Sequence, residues 1–115
     1  AECGGLMLLA ESLETKDGRT FPMAGVVPGR VRMTGRLQHF GYCRGNAEGL
    51  PEARGHEFHH SEWLEEPEWS NLWTVTRPST GSARREGFGT DTLHASYVHL
   101  HFPQAKTLIQ RVLQL

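Results

Sequence analysis

Ala1-Glu2-Cys3-Gly4-Gly5 sets a thiol between a small residue two positions before it and a glycine two positions after it. An amphipathic run, Leu6, Leu9, Ala10 and Leu13, follows at helical spacing. This is the layout of a nucleophile elbow, in which a reactive side chain stands on a strained strand-to-helix turn that folds too tightly for large neighbours. On that reading Cys3 lies at a helix N-terminus, where the macrodipole and the free N–H groups favour a thiolate. The N–H of Gly4 then points to where an oxyanion would form. The alternative is a small buried hydrophobe, the usual fate of an unpaired cysteine.

Histidine is the other unusual feature: there are seven, six of them between His56 and His101. His56-Glu57-Phe58-His59-His60 matches the H-E-x-x-H pattern of zinc hydrolases, which needs both histidines one turn apart on a helix. Gly55 and the nearby Pro51 argue for a strand instead. A strand places His56, Phe58 and His60 on one face and Glu57 and His59 on the other. His56 and His60 alone make an incomplete zinc site, so no resident metal is expected, although a His-rich metal-binding module on His56, Glu57 and His60 stands as an alternative. His99 and His101 fall on one face of a late strand, with Tyr97 beside them at period two. Either is a hydrogen-bonded core histidine or one of them is the base that a catalytic Cys3 requires.

The elements that must position these groups follow from pattern. The helix after Cys3 should run to about Lys16 and stop at Gly18. Phe21 to Gly29, broken by two prolines and two glycines, reads as a loop with a short strand at most. Arg30 to Gln38 alternates as a half-exposed strand, its arginines a solvated face. Gly41 to Gly45 ends that strand region, Asn46 to Pro51 reads as a turn-rich loop, the acidic stretch from Glu65 to Asn71 as a connection, and Leu72 to Arg77 as a strand. Pro78 to Glu86 is a Ser/Gly/Arg turn expected to be mobile. Leu93 to Phe102 reads as a mostly buried strand, and Pro103 opens a closing helix with Ala105, Leu108, Ile109 and Val112 as its stripe.

At 115 residues the chain has room for one small domain. A hydrophobic content of 37% and a formal net charge of −1 indicate neither a polyanion-binding surface nor a disordered tail, so nucleic acid is not an expected partner. No apolar run is long enough to span a bilayer, and two cysteines do not make a disulfide-stapled secreted domain, which favours the cytoplasm. The chain opens without Met where a strand should feed the turn, and is therefore expected to be a piece of something longer.

Three segments in this order carry a more specific signal: Ala1 to Met7, Arg54 to Ser61 (Arg-Gly-His-Glu-Phe-His-His-Ser), and Ala95 to Phe102 (Ala-Ser-Tyr-Val-His-Leu-His-Phe). Pro22 to Gly29 and Arg85-Glu86-Gly87-Phe88 lie between them. Together they resemble the glutamine amidotransferase domain of the cobyrinic acid a,c-diamide synthases, over nearly the whole chain. His60 departs from the pattern, in which a tyrosine is usual after His-Glu-Phe-His.

The resemblance implies an α/β fold, the C-terminal part of a three-layer class I glutamine amidotransferase-like (flavodoxin-like) domain, with residues 1–115 a partial domain. It implies that Cys3 attacks the side-chain amide of glutamine and that His99 is its base. A glutamate usually stands two residues after that histidine. His101 stands there here, so the resemblance implies a Cys–His dyad. Glu57, His59, Tyr97 and His101 are expected to bind substrate or support the site. The ammonia would go to a corrinoid acceptor, cobyrinic acid, in a synthetase domain that uses ATP and Mg²⁺. The G-x-x-x-x-G-K-S/T loop of such a domain does not occur in this sequence. A piece lacking the strands before Cys3 is expected to have little glutaminase activity, and to aggregate or form homo-oligomers through an exposed sheet edge. A non-catalytic domain that keeps the fold is the remaining alternative.

Overall fold

A computed structural model describes residues 1–70 and 72–115. Asn71, the last residue of the acidic connection, lies outside them. The chain opens on Glu2, which forms a single parallel bridge to Ser96. Cys3 makes the turn, and helix α1 follows over Gly4–Leu9. The helix is shorter than its apolar spacing predicts. Ala10 is extended, and the Leu9 carbonyl, instead of continuing the helix, accepts the N–H groups of Val26 and Val27 at 2.9 and 2.8 Å. Gly25, with φ 68°, donates to the Ala10 carbonyl at 2.9 Å, so the Pro/Gly-rich loop itself ends the helix. Leu13 consequently falls on a strand.

Among the described residues eleven short strands follow in chain order. β1 (Ser12–Glu14), β2 (Thr20–Pro22), β3 (Arg30–Met33) and β6 (Ser61–Trp63) form one sheet in the order β2-β1-β3-β6, with β1 and β3 parallel. β4 (His39–Asn46), β5 (Ala53–His59), β7 (Trp73–Thr76), β8 (Ala83–Glu86) and β11 (His99–Leu100) form an antiparallel sheet in the order β11-β5-β4-β7-β8. β9 (Phe88–Gly89) and β10 (His94–Ala95) make a two-stranded ribbon. A 3₁₀ turn over Phe102–Gln104 carries Pro103, and helix α2 (Lys106–Val112) closes the chain. This is the mixed α/β class expected, with strand outweighing helix.

β4 is a separate eight-residue strand where the sequence pattern predicts only the end of the preceding strand region. Gly41 and Gly45 lie within it. Gly45 is needed because a Cβ there would meet the Trp73 ring at 2.9 Å. Trp73 is the centre of one core cluster, with Cys43, Ala53, Val75, Val98 and Leu108. Leu6, Val27, Ala95 and Tyr97 form a second cluster beneath α1. The stretch expected to be a mobile turn before Glu86 instead carries β8, paired along its length to β7.

Candidate active site

Cys3 sits at φ 47° and ψ −105°, in a region L-residues rarely occupy. Such a residue costs about 1–3 kcal/mol and persists only where its surroundings over-determine it. They do so here. Its N–H donates to the Ser96 carbonyl at 2.8 Å, its carbonyl accepts from Met7 at 3.1 Å, and the Gly5 N–H reaches back to Glu2 at 2.8 Å. A Cβ on Gly5 would lie 3.3 Å from the Cβ of Ala1, so the turn needs a small residue on each side of the thiol. The half-buried Sγ makes a long contact, 3.9 Å, to the carbonyl of Phe58 on β5.

Burial pushes the Cys3 thiol above its ordinary value. The Gly4 N–H opposes that rise and the carboxylates of Glu2 and Glu57 add to it. The thiolate expected from the helix terminus is thus overruled by desolvation, and the thiol needs a base to react. Cys43 is a second free thiol, but it is buried and pushed up to about 11, chiefly by that burial.

β5 builds the facing wall. Its residues alternate strictly between buried and exposed: Ala53, Gly55, Glu57 and His59 face inward, and Arg54, His56 and Phe58 face outward. This is the period-two arrangement read from the sequence. His99 on β11 pairs directly with His56, and the two rings stack with centroids 4.7 Å apart and planes 13° apart. The Leu100 N–H next to it donates to Glu2 Oε1 at 3.0 Å, tying β11 to the residue that precedes Cys3. A cavity of about 660 Å³ opens beside the pair, lined also by Tyr42, Arg44, Arg54 and His101.

A further expectation fails. Tyr97 does not share a face with His99, because the chain bends between β10 and β11: the Val98 N–H turns to the Ser96 hydroxyl at 3.0 Å. Period two is lost there. Tyr97 points inward and stacks on His59 at 4.0 Å and 17°, whereas His99 stacks outward on His56. His101 is exposed, its N–H bonded to the Arg54 carbonyl at 2.9 Å.

The inward face is a polar cluster in which, among the described residues, His59 Nε2 has no hydrogen-bond partner. Ser61 donates to the Tyr97 hydroxyl at 3.0 Å, and His59 Nδ1 lies 2.9 Å from the Ser61 carbonyl. Glu57, fully buried, accepts both arms of Arg84 and lies 3.4 Å from Arg77 Nη2 and 3.6 Å from His59 Nε2. Burial alone would raise its carboxyl, but His59 and the Arg84 guanidinium outweigh it and hold the group at about 2. His56 and Glu57 therefore stand on opposite faces of β5, and the His56–Glu57–His60 metal set is not brought together. Among the described residues no group of three or more His, Cys, Asp or Glu side chains forms a metal cluster.

Two contributors escaped the sequence reading. Arg84 falls in the segment that the sequence pattern predicts to be a mobile turn. Glu86 is the last residue of that same predicted turn and also lies in the Arg85–Phe88 segment of the resemblance, where no role is implied for it. Buried on β8, Glu86 accepts the Ser96 hydroxyl and, at 2.8 Å, the Tyr97 N–H, so it fixes the segment onto which Cys3 docks.

Residues 1–107 match the model of the CobB/CobQ-like glutamine amidotransferase domain. Among known proteins, the chain is 38% identical to the cobyrinate a,c-diamide synthase of Salmonella typhimurium, over 96% of this chain and 26% of the relative. It is 41% identical to that of Syntrophotalea carbinolica, over 89% of this chain and 24% of the relative. It is 36% identical to that of Priestia megaterium, over 96% and 25%. The chain thus spans about a quarter of the length of the relatives it matches. No helix of the described residues is long and apolar enough to cross a membrane. With a family match running from the strained cysteine to the closing helix, this chain belongs to the CobB/CobQ-like glutamine amidotransferase family.

Proposed function

We propose that the chain is the C-terminal, thiol-bearing part of the glutaminase site of a cobyrinate a,c-diamide synthase, and that Cys3 and His99 form its dyad. The observation that carries this is the strained Cys3 turn pinned through Ser96 to the same segment that presents His99. His99 takes the thiol proton as Sγ attacks the amide carbon of glutamine. The oxyanion forms toward the Gly4 N–H. The imidazolium returns its proton to the departing nitrogen, the C–N bond breaks, and ammonia leaves a γ-glutamyl thioester. Water, deprotonated by His99, attacks the thioester carbon, and glutamate leaves as the C–S bond breaks and the proton returns to the sulfur. Glu57, His59 and Tyr97 support the β5 wall from behind.

The consumer of the ammonia, in this reading, is ATP-dependent amidation of the a and c carboxylates of a corrinoid, in the part of the relatives beyond this match. ATP and Mg²⁺ do not fit the residues here. The sequence has no phosphate-binding loop, and the buried carboxylates Glu57 and Glu86 are already engaged by Arg84, Ser96 and Tyr97. The test uses the polypeptide that carries these residues as the cell makes it. A glutamine-like diazoketone should alkylate Cys3, and Cys3→Ser should abolish both labelling and glutamate release. His99→Ala should lower kcat about 10²- to 10⁴-fold. Unchanged glutaminase turnover in Cys3→Ser would refute the assignment. The 115 residues by themselves should hydrolyse glutamine weakly, and robust turnover would show that the site is complete within them.

A further inference from the structure

We propose that His56 is a positioning residue for His99, its ring acting as the platform that fixes the plane of the imidazole. The inference rests on the dyad reading above but starts from a separate observation. His99 Nδ1 is buried and has no hydrogen-bond partner among the described residues. An imidazole that serves as a base is ordinarily held in plane by an acceptor at its second nitrogen. Here His101, two residues on, is exposed and turned to solvent, and Glu2, the carboxylate nearest along the chain to Cys3, is bound to the Leu100 amide instead. Orientation must then come from packing. The ring lying flat against His99 is that of His56, at 4.7 Å and 13°.

The backbone is built for this contact. His56 and His99 are a directly opposed pair, so their side chains leave the sheet on the same face. The pairing brings β11 so close to β5 that a Cβ on Gly55 would lie 2.6 Å from both the His99 carbonyl and Val98 Cγ1. Only glycine fits at that position, one residue from the platform. On the opposite side of the strand Glu57 is clamped by Arg84, which leaves β5 little freedom to shift. An exposed residue at the rim of the cavity is thereby set at a defined height and angle under the base. Stacked rings give such a pair a preferred offset and limit rotation about χ2 of His99.

The geometry separates this role from two others. A residue that bound glutamine would alter KM, and one that moved a proton would need its nitrogens. A platform needs only a flat face. In the polypeptide that carries these residues, His56→Ala should therefore lower kcat for glutamine hydrolysis about tenfold or more with KM within about twofold, since small misplacements of a catalytic group cost up to 10²-fold. The rate of Cys3 alkylation should fall in parallel. His56→Phe, flat but without nitrogens, should recover most of kcat. His56→Gln, polar but without a ring, should behave like Ala. NMR of the His99 ring protons gives a readout independent of turnover: their upfield ring-current shift should vanish in Ala and Gln and persist in Phe. A kcat for His56→Ala within twofold of the parent overturns the proposal, as does equal impairment of Ala and Phe, or a change confined to KM. If the parent shows no Cys3-dependent glutaminase, the dyad reading falls, while the ring-current shifts still decide whether the platform exists.

Discussion

Glu57 on β5 and Glu86 on β8 are both buried, 0% and 6% exposed, but one faces guanidinium groups and the other faces a hydroxyl and an amide. That difference sets the direction in which each titrates. Glu57 is held well below its ordinary value of 4.5, at about 2. Glu86 is raised, first by burial, which the Ser96 and Tyr97 hydrogen bonds only partly offset. Arg84 and Glu86 are two residues apart on β8 and so share a face, yet the guanidinium is spent on Glu57. The two carboxylates also brace different halves of the proposed site: Glu57 the wall that carries His56, Glu86 the Ser96–Tyr97 segment that receives Cys3. The cysteine half is thus held by hydrogen bonds from a hydroxyl and an amide, and the histidine half by guanidinium groups on a buried carboxylate.

The largest expected effect comes from neutralising Glu57. Glu57→Gln leaves Arg84 and Arg77 without their counter-charge, and removing one partner of a buried pair costs about 3–5 kcal/mol. Arg84 keeps 31% of its side chain exposed and can turn to solvent, so a value near the lower end, about 3 kcal/mol, is expected in urea unfolding. A loss below about 1 kcal/mol, the range of surface pairs, would mean that the cluster is effectively solvated.

Acid separates the two sites next. Because the Glu57 carboxyl is lower in the fold than in the unfolded chain, its contribution is complete above pH 4.5 and is lost as pH falls through about 2. Melting temperature should drop across that window, and the drop should be shallower in Glu57→Gln. Glu86 has the opposite sign. Its carboxyl is raised in the fold, so its contribution is greatest below the ordinary carboxylate value and is lost as pH rises through the folded one. An identical acid profile in Glu57→Gln and the parent would remove Glu57 from the account.

The unequal legibility of these regions has a physical basis. β5 is legible from Arg54 to His59 because alternation is a local property, and the faces it assigns to His56 and Glu57 are those found. Cys3 is legible because a strained turn admits only small neighbours, and Ala1, Gly4 and Gly5 satisfy that. What sets Glu57's charge is not local. Arg84 reaches it only because β7 and β8 pair and β7 pairs with β4, so a segment rich in Ser, Gly and Arg reads as turn until that register is known. β4 was hidden by Gly45, whose missing side chain makes room for Trp73, 28 positions along the chain. Tyr97 was assigned to the wrong face because a serine hydroxyl captured the Val98 N–H and broke the alternation. The thiol was read as a thiolate because the helix dipole is visible in sequence and the desolvation that opposes it is not.

The smallest effect is expected where the contrast is sharpest. Glu86→Gln preserves an acceptor for the Tyr97 N–H, and it removes a carboxyl whose charged form burial disfavours. Against that, the amide nitrogen meets a Ser96 hydroxyl that already accepts from Val98 and loses the acceptor for its own proton. One weakened hydrogen bond, worth about 1 kcal/mol, opposes relief of the desolvation that burial imposes on the carboxyl, so net stability at pH 7 should change by less than about 1 kcal/mol. The sign should depend on pH: the parent gains on the variant as pH falls toward the ordinary carboxylate range, the reverse of the Glu57 pair. Chemical denaturation of Glu86→Gln at pH 5 and pH 8 measures this. A loss as large as that of Glu57→Gln at both values would mean that Glu86 is also held by an opposite charge, and that the two halves of the site are braced alike.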